Sequence, residues 1–385
     1  MGLIGRVCPL ECLSTTIFCP GLDSGFLCKP DTIREVFCVK TVDLRSDTVT
    51  LPTQEMRRVL AEAPVGDAGY GDDPSVNELE RLGAEITGQE DCLFVPSGIM
   101  GNLIAILSHC RRGDAVLVGD RAHMYRYEGG GMAVLAGILP YLVDDIAGVP
   151  TPEAIRAACP VRDVHFAQPS LLCLENTHND RGGLAVSPQN FAQALESGRD
   201  AGLAVHLDGA RIFNAAVAWG VDIKEYTVSV DSVQFCLSKG LGAPMGSLVC
   251  GSQEFIARAR FERKRLGGKL RQAGFMAMAG LYALKHHVSR LADDHRNAEL
   301  AESLLMERGL ATEPVFPGTR RTNMVYFNLP EKVQDVPAFA MACARRGVLF
   351  NASESPRVRL VFHLGVEEED VRSAVSVIHE EVQRF

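Results

Sequence analysis

The stretch DSVQFCLSKGLGAPMGSLVCG, residues 231–251, holds two apolar runs joined by a connector of small residues in which Lys239 is the single charged side chain. Both runs have the composition of buried strands. The connector is too short for a helix, so this pair is expected to be antiparallel. Upstream, "CLFVPSG" (92–98) reads as a strand and turn before a helix through Leu107, and "AVLVGD" (115–120), "LLCLEN" (171–176) and "LAVHLDG" (203–209) read as further strands. Amphipathic helical patterns such as "PQNFAQALESGRDAG" (188–202) separate them. Buried strands joined by crossover helices predict an α/β fold with a mostly parallel central sheet.

From about residue 290 the order changes. A helix around "NAELAESLLMERG" is followed by a strand "NMVYFNL", a helix around "VPAFAMACARRG", a strand "RVRLVFH" and a helix from Val366 to Val382. The expected organisation is an extension (1–40), a large domain (41–290) and a smaller α+β C-terminal domain (291–385).

Composition narrows the function classes. A formal net charge of −9 argues against nucleic acid or an anionic membrane surface as the main partner, and no apolar run is long enough to span a bilayer. Of the 12 cysteines, Cys8, Cys12, Cys19, Cys28 and Cys38 lie in the first 40 residues without Cys-x-x-Cys or His-pair spacing, which argues against zinc. Others, such as Cys173 and Cys236, sit in apolar strands, as small core residues in a reducing compartment do. The extension lacks the layout of a secretion signal, and its acidic residues suit a mitochondrial transit peptide poorly. A cytoplasmic location is expected, with a mitochondrial one as the alternative.

Ligands of open α/β sheets collect beyond the carboxyl ends of the strands. Four groups fall there. Lys239 is either a solvated turn residue or a buried amine whose lowered pKa makes it a nucleophile. Asp208 is either an N-cap or an acid facing a ligand, with Arg211 on the same rim. Ser97, followed by Gly98 and Ile99 at a helix start, is either an ordinary cap or part of a phosphate cup. His123 is either a loop histidine or a ring that stacks on or takes a proton from a ligand. Lysine, acid and phosphate cup together are the parts that pyridoxal phosphate needs. Neither G-x-x-x-x-G-K-[ST] nor an early G-x-G-x-x-G is present to support a nucleotide site.

These residues lie in longer motifs: "VDLRSDTVTLPTQEM", "GYGDDPSVNELE", "FVPSG" followed by "MGN" after Ile99, "LENTHN", "HLDGARIFNA", "CLSKGLGAPMGS" and "RQAGF". Over about residues 41 to 385 the chain resembles the low-specificity threonine aldolases, pyridoxal phosphate enzymes of the aspartate aminotransferase fold (fold type I). The resemblance implies that Lys239 forms the Schiff base, Asp208 partners the pyridinium nitrogen, His123 stacks on the ring, and Ser97, Gly98 and Ile99 cup the phosphate. It further implies that Ser46, Arg211 and Arg359 bind the substrate carboxylate, with Arg211 also near the cofactor's phenolic oxygen. Arg271 and Lys264 match basic residues that reach a neighbouring subunit's cofactor phosphate, which implies a homotetramer with active sites at dimer interfaces. Three departures stand out: Ile99 where the family has Thr, Ala68–Gly69 where relatives often have Asp and Val, and Lys269 where Gly is usual.

The implied activity is retro-aldol cleavage of L-threonine, L-allo-threonine and related 3-hydroxy amino acids to glycine and an aldehyde. His123 is the candidate base for the β-hydroxyl proton, and His178 is a candidate of indirect effect. No metal is implied. Cofactor-site residues alone do not choose which bond breaks, so transamination and β-elimination remain rivals, as does a catalytically weakened homologue that only binds the cofactor.

Overall fold

Seven strands form the central sheet: β1 (Asp91–Val95), β2 (Ala115–Gly119), β3 (Leu139–Val143), β4 (Pro169–Glu175), β5 (Ala204–Asp208), β6 (Ser232–Cys236) and β7 (Ser247–Gly251). Their order is β1-β7-β6-β5-β4-β2-β3. In this computed structural model β7 is antiparallel to both of its neighbours, and every other pairing in the sheet is parallel. The short connector after Lys239 thus has the consequence expected of it, because it leaves no room for a crossover helix. The structure describes residues 40–161, 163–351 and 355–385; the expected extension, with its five cysteines, lies outside the described residues apart from Lys40. From Thr41 onward the chain forms one compact unit. No helix among the described residues is long and apolar enough to cross a membrane.

Sequence signals place the helices that flank the sheet. Asp73 caps the helix Pro74–Thr87 by accepting from the N–H groups of Ser75 and Val76, and Pro74 fills a first-turn position where no donor is missed. Gly88 closes that helix in the left-handed conformation, φ 70°. Ser97 caps Gly98–His109, accepting from Met100 N–H. Glycine is required at 98, because a Cβ there would stand 2.9 Å from Cys236 Sγ and 3.2 Å from Gln234 Oε1. The expected helix at 188–202 is Pro188–Asp200, capped by Ser187.

The sequence reading omitted β3. This edge strand contains Pro140, and Leu139 and Leu142 are exposed, so it lacks the continuous burial that marks its neighbours.

In the C-terminal part, β8 (Met324–Asn328) pairs antiparallel with β9 (Arg357–Val361). The helices Leu291–Glu307, Val336–Arg345 and Glu368–Arg384 pack with them around Phe327, Phe339, Leu360 and Ile378. Val42 and Leu44 join this core, because Val42–Asp43 pairs in parallel with Val348–Leu349. That pairing carries Ser46 and Asp47 toward the carboxyl ends of the main sheet.

Candidate active site

Five strand ends supply the chemistry. Ser97 follows β1, His123 follows β2, Glu175 ends β4 with Asn179 beyond it, Asp208 ends β5 with Arg211 beyond it, and Lys239 follows β6. One cavity of about 550 Å³ is lined by Ser46, His123, Asp208, Arg211, Lys239 and Arg359. A smaller hollow of about 170 Å³ shares His123, Asp208 and Lys239 with it and adds Ser97, Gly98 and Ile99. Nine of the eleven residues expected in the site are therefore together in one chain.

Asp208 ends a strand that is buried from Val205 onward. Its Oδ1 accepts from Gln234 Nε2 (2.7 Å) and Ala210 N–H (3.1 Å), and its Oδ2 accepts from Asn102 Nδ2 (2.8 Å). Burial alone would raise its pKa, but the charges of His123 and Lys239, with the donors on Gln234 and Asn102, hold it below the ordinary value. It is an anion at neutral pH. Lys239 is half-buried, and its amine makes no hydrogen bond or ion pair among the described residues.

His123 opens the short helix His123–Arg126, and its backbone N–H donates to Glu175 Oε2 at 2.7 Å. Its Nδ1 lies 2.9 Å from Glu128 Oε1. Burial lowers its pKa, but the Glu128 hydrogen bond and the carboxylates of Asp208, Glu128 and Glu175 outweigh that and raise it.

The carboxylate-binding candidates form a second group. Arg211 is buried and makes a two-pronged pair with Asp47, Nε to Oδ2 and Nη2 to Oδ1, both 2.7 Å. Its Nη1 is 3.5 Å from Asn179 Oδ1. Arg359 Nη1 donates to the same Asn179 oxygen at 3.1 Å, and Nη2 donates to Arg45 O. One amide oxygen thus stands between two guanidinium groups. Ser46 Oγ accepts from Thr48 Oγ1 at 2.9 Å at the edge of the cavity.

Lys264 and Arg271 are not in this cavity. Lys264 lines a separate basic hollow with Gly69, Arg260, Arg263 and Lys269, and Arg271 is exposed, 3.9 Å from Asp67 Oδ1. His178 is buried with Nε2 2.7 Å from Asp145 Oδ2, a packed ion-pair position behind the cavity wall.

The family model for beta-eliminating lyases matches residues 43–329. The low-specificity L-threonine aldolase of Escherichia coli strain K12 is 45% identical over 331 residues, covering 86% of this chain and 96% of that protein. The chain belongs to the low-specificity L-threonine aldolase family. A probable low-specificity L-threonine aldolase 2 from Arabidopsis thaliana is 43% identical, covering 88% of this chain and 96% of that one. Leishmania major threonine aldolase superimposes with a TM-score of 0.74 at 19% identity, covering 88% of this chain and 99% of that one. Sphingomonas wittichii serine palmitoyltransferase gives 0.71 at 16% identity, covering 89% and 88%. The fold is that of fold-type I pyridoxal phosphate enzymes.

Asp47, Asn102, Glu128, Asn179 and Gln234 escaped the motif-by-motif reading of roles. Each acts across the fold, as the Asn102–Asp208 contact does over a separation of 106 residues. Asp47, within "LRSDT", and Asn102, within "MGN", lie in quoted motifs, and the only available signal was their position beside residues that had been assigned.

Proposed function

We propose that this chain uses pyridoxal phosphate to cleave L-threonine, L-allo-threonine and related 3-hydroxy amino acids to glycine and an aldehyde. The observation that carries the reading is a lysine amine with no hydrogen bond or ion pair among the described residues, lining the same hollow as a hydrogen-bonded, ionised aspartate and the Ser97-capped start of a helix. The cofactor's requirements are met one by one. Gly98 has no Cβ, Ser97 and Ile99 are exposed at the helix start, and the backbone N–H groups there suit a phosphate. In this reading Lys239 holds the cofactor's aldehyde carbon, Asp208 its ring nitrogen, His123 its ring face and Arg211 its phenolic oxygen. Bound there, the cofactor supplies an electron sink for the pair left when the Cα–Cβ bond breaks.

Arg359, the remaining Nη1 of Arg211 and Ser46 bind the substrate carboxylate and so fix which bond at Cα is aligned for cleavage. In the neutral form of His123, Nδ1–H donates to Glu128 and Nε2 is left to take the β-hydroxyl proton, so this step belongs to the fraction of the ring that is unprotonated. The proton lost from the hydroxyl is matched by the one gained at Cα. One 3-hydroxy amino acid gives one glycine and one aldehyde, with no oxidant or reductant.

We assign Lys264 and Arg271 to the cofactor phosphate of a neighbouring subunit, in a homotetramer with sites at dimer interfaces. Their exposure and their absence from the lining of this chain's own cavity support that role. The boundary between the large and small domains is placed near Arg290, in the turn before the helix Leu291–Glu307. The cytoplasm is the proposed compartment, supported by the free thiols of Cys92, Cys173, Cys236 and Cys250 in the core.

A visible absorption spectrum of the purified protein tests the site. Wild type should be yellow and Lys239→Ala should lose that band, and an unchanged spectrum in the variant would remove Lys239 from its role. Asp208→Asn should lose more in kcat than in substrate affinity, whereas equal losses would make Asp208 a structural residue.

A further inference from the structure

From Asp208 a buried polar chain runs through Asn102, which shares the wall of the smaller hollow with it, and apart from Glu128 the proposed reaction does not use that chain. Asn102, 1% exposed, donates one amide hydrogen to Asp208 Oδ2 and the other to Glu128 Oε1, both at 2.8 Å. Its Oδ1 faces His206 Nε2 at 3.2 Å. His206 Nδ1 is 2.8 Å from Ser232 Oγ, which is in turn 2.8 Å from His109 Nε2.

With its two imidazoles neutral, this chain has one consistent set of directions. An amide oxygen only accepts, so His206 carries its proton on Nε2 and its Nδ1 accepts from the Ser232 hydroxyl. Ser232 then accepts from His109 Nε2–H. Burial keeps both imidazoles neutral: His206 falls to about 3, with His109 adding to the shift, and His109 falls to about 4. Turning the Asn102 amide over would set its oxygen against two carboxylates and its NH2 against a donor, so the observed orientation is the only one that satisfies all four groups.

The carboxyl oxygens of Glu128 and Asp208 and a nitrogen of His123 lie within 4.8 Å of one another. Two carboxylates that close repel, which favours protonation of one of them. A bridging pair of N–H donors opposes that.

We infer that Asn102, locked by His206, is a positioning residue that keeps Asp208 ionised toward the cofactor's ring nitrogen and ties it through Glu128 to His123. This rests on the proposed role of Asp208. The charged and titratable groups facing Asp208 are His123 and Lys239 on the cavity side, with Glu128, His206 and Cys173 around them. Glu175 faces His123 from the end of β4. Taking away the Asn102 donors raises the proton affinity of Asp208. Below its new pKa the carboxyl is neutral and no longer pairs with a protonated ring nitrogen.

The test titrates cofactor-free protein with pyridoxal phosphate from about pH 3.5 to 8, a range that spans the titration of a carboxylate held below its ordinary pKa, and follows the bound fraction by absorbance. Asn102→Leu keeps the branched shape in a somewhat larger side chain and removes both donors. Near neutrality Asp208 is still ionised and affinity should stay close to wild type, whereas the acid limb of the affinity profile should move up by about one pH unit, making binding about tenfold weaker on that limb, the size of one lost charge-assisted hydrogen bond. Asn102→Asp, of the same size, adds a third carboxylate and should move that limb further; it carries the test if the apolar side chain prevents folding. His206→Leu should move the limb the same way, and His206→Gln, which restores a donor to the Asn102 oxygen, should return it toward wild type. A structural role alone would weaken binding evenly at all pH values and would not distinguish the two His206 variants. An acid limb superimposable on wild type in the Asn102 variants overturns the inference. Asp208→Asn separates the two readings. If it leaves cofactor affinity unchanged, the assignment of Asp208 fails; if it weakens affinity while the Asn102 variants keep the wild-type profile, only the positioning role fails.

Discussion

Replacing Asp47 with Asn should destabilise the protein more than any other single amide-for-acid change in the cavity wall. Asp47 is fully buried, pairs with Arg211 through both of its oxygens, and accepts in addition from Asn323. Burial alone would raise its pKa, but the charge and hydrogen bonds of Arg211, then Lys239 and Asn323, hold it well below the usual carboxylate range. Breaking a buried ion pair by removing one partner costs roughly 3–5 kcal/mol, because the other charge is left uncompensated. Asn keeps one acceptor oxygen for Arg211, so the loss should fall near about 3 kcal/mol. Urea unfolding read by fluorescence of Trp219, the chain's single tryptophan, measures it at fixed protein concentration. Since the folded pKa is depressed, the stabilisation is full above the unfolded value of about 3.9 and is lost as pH falls toward the folded one. The gap between wild type and variant should be constant from pH 5 to 8 and narrow below about pH 4. A gap under about 0.5 kcal/mol, the usual size of a surface substitution effect, would refute the pairing.

Three further outcomes follow from the cavity. Ile99→Thr adds a hydroxyl to the helix start and should tighten pyridoxal phosphate binding about three- to tenfold, one hydrogen bond's worth; unchanged affinity would mean the phosphate does not sit there. Asn179→Ala removes the oxygen shared by Arg211 and Arg359, and should raise KM for the amino acid about tenfold with a smaller change in kcat. A fall in kcat at constant KM would instead put Asn179 in the chemical step. Lys239→Ala and Arg271→Ala subunits, each inactive alone, should regain activity when co-assembled if Arg271 serves a neighbouring site, and failure to complement would confine each site to one chain.

Most of the sheet was legible because buried parallel strands carry local signals, apolar runs that end in Gly, Asp or Lys. The same locality exposed Ser97, Asp208 and Lys239, each sitting where a run stops. β3 was not legible, since an edge strand with Pro140 and outward-facing Leu139 and Leu142 has no such run. The supporting residues were hidden for a different reason. Asp47 meets Arg211 across 164 residues, and Glu128 looks like an ordinary loop acid until Asn102 and His123 close around it. Spacing along the chain carries no trace of contacts made only when the C-terminal core draws in Val42 and Leu44. Family resemblance supplied the proposed roles of the candidate site residues, and the packed structure supplied the groups that hold them in place.

The most direct measurement of the central claim is product analysis after incubating the pyridoxal phosphate-loaded protein with L-threonine and, separately, with L-allo-threonine. The account predicts glycine and acetaldehyde in equal amounts from at least one diastereomer, and neither product from Lys239→Ala. A keto acid or ammonia in place of glycine, or bound cofactor without turnover of either substrate, would contradict it.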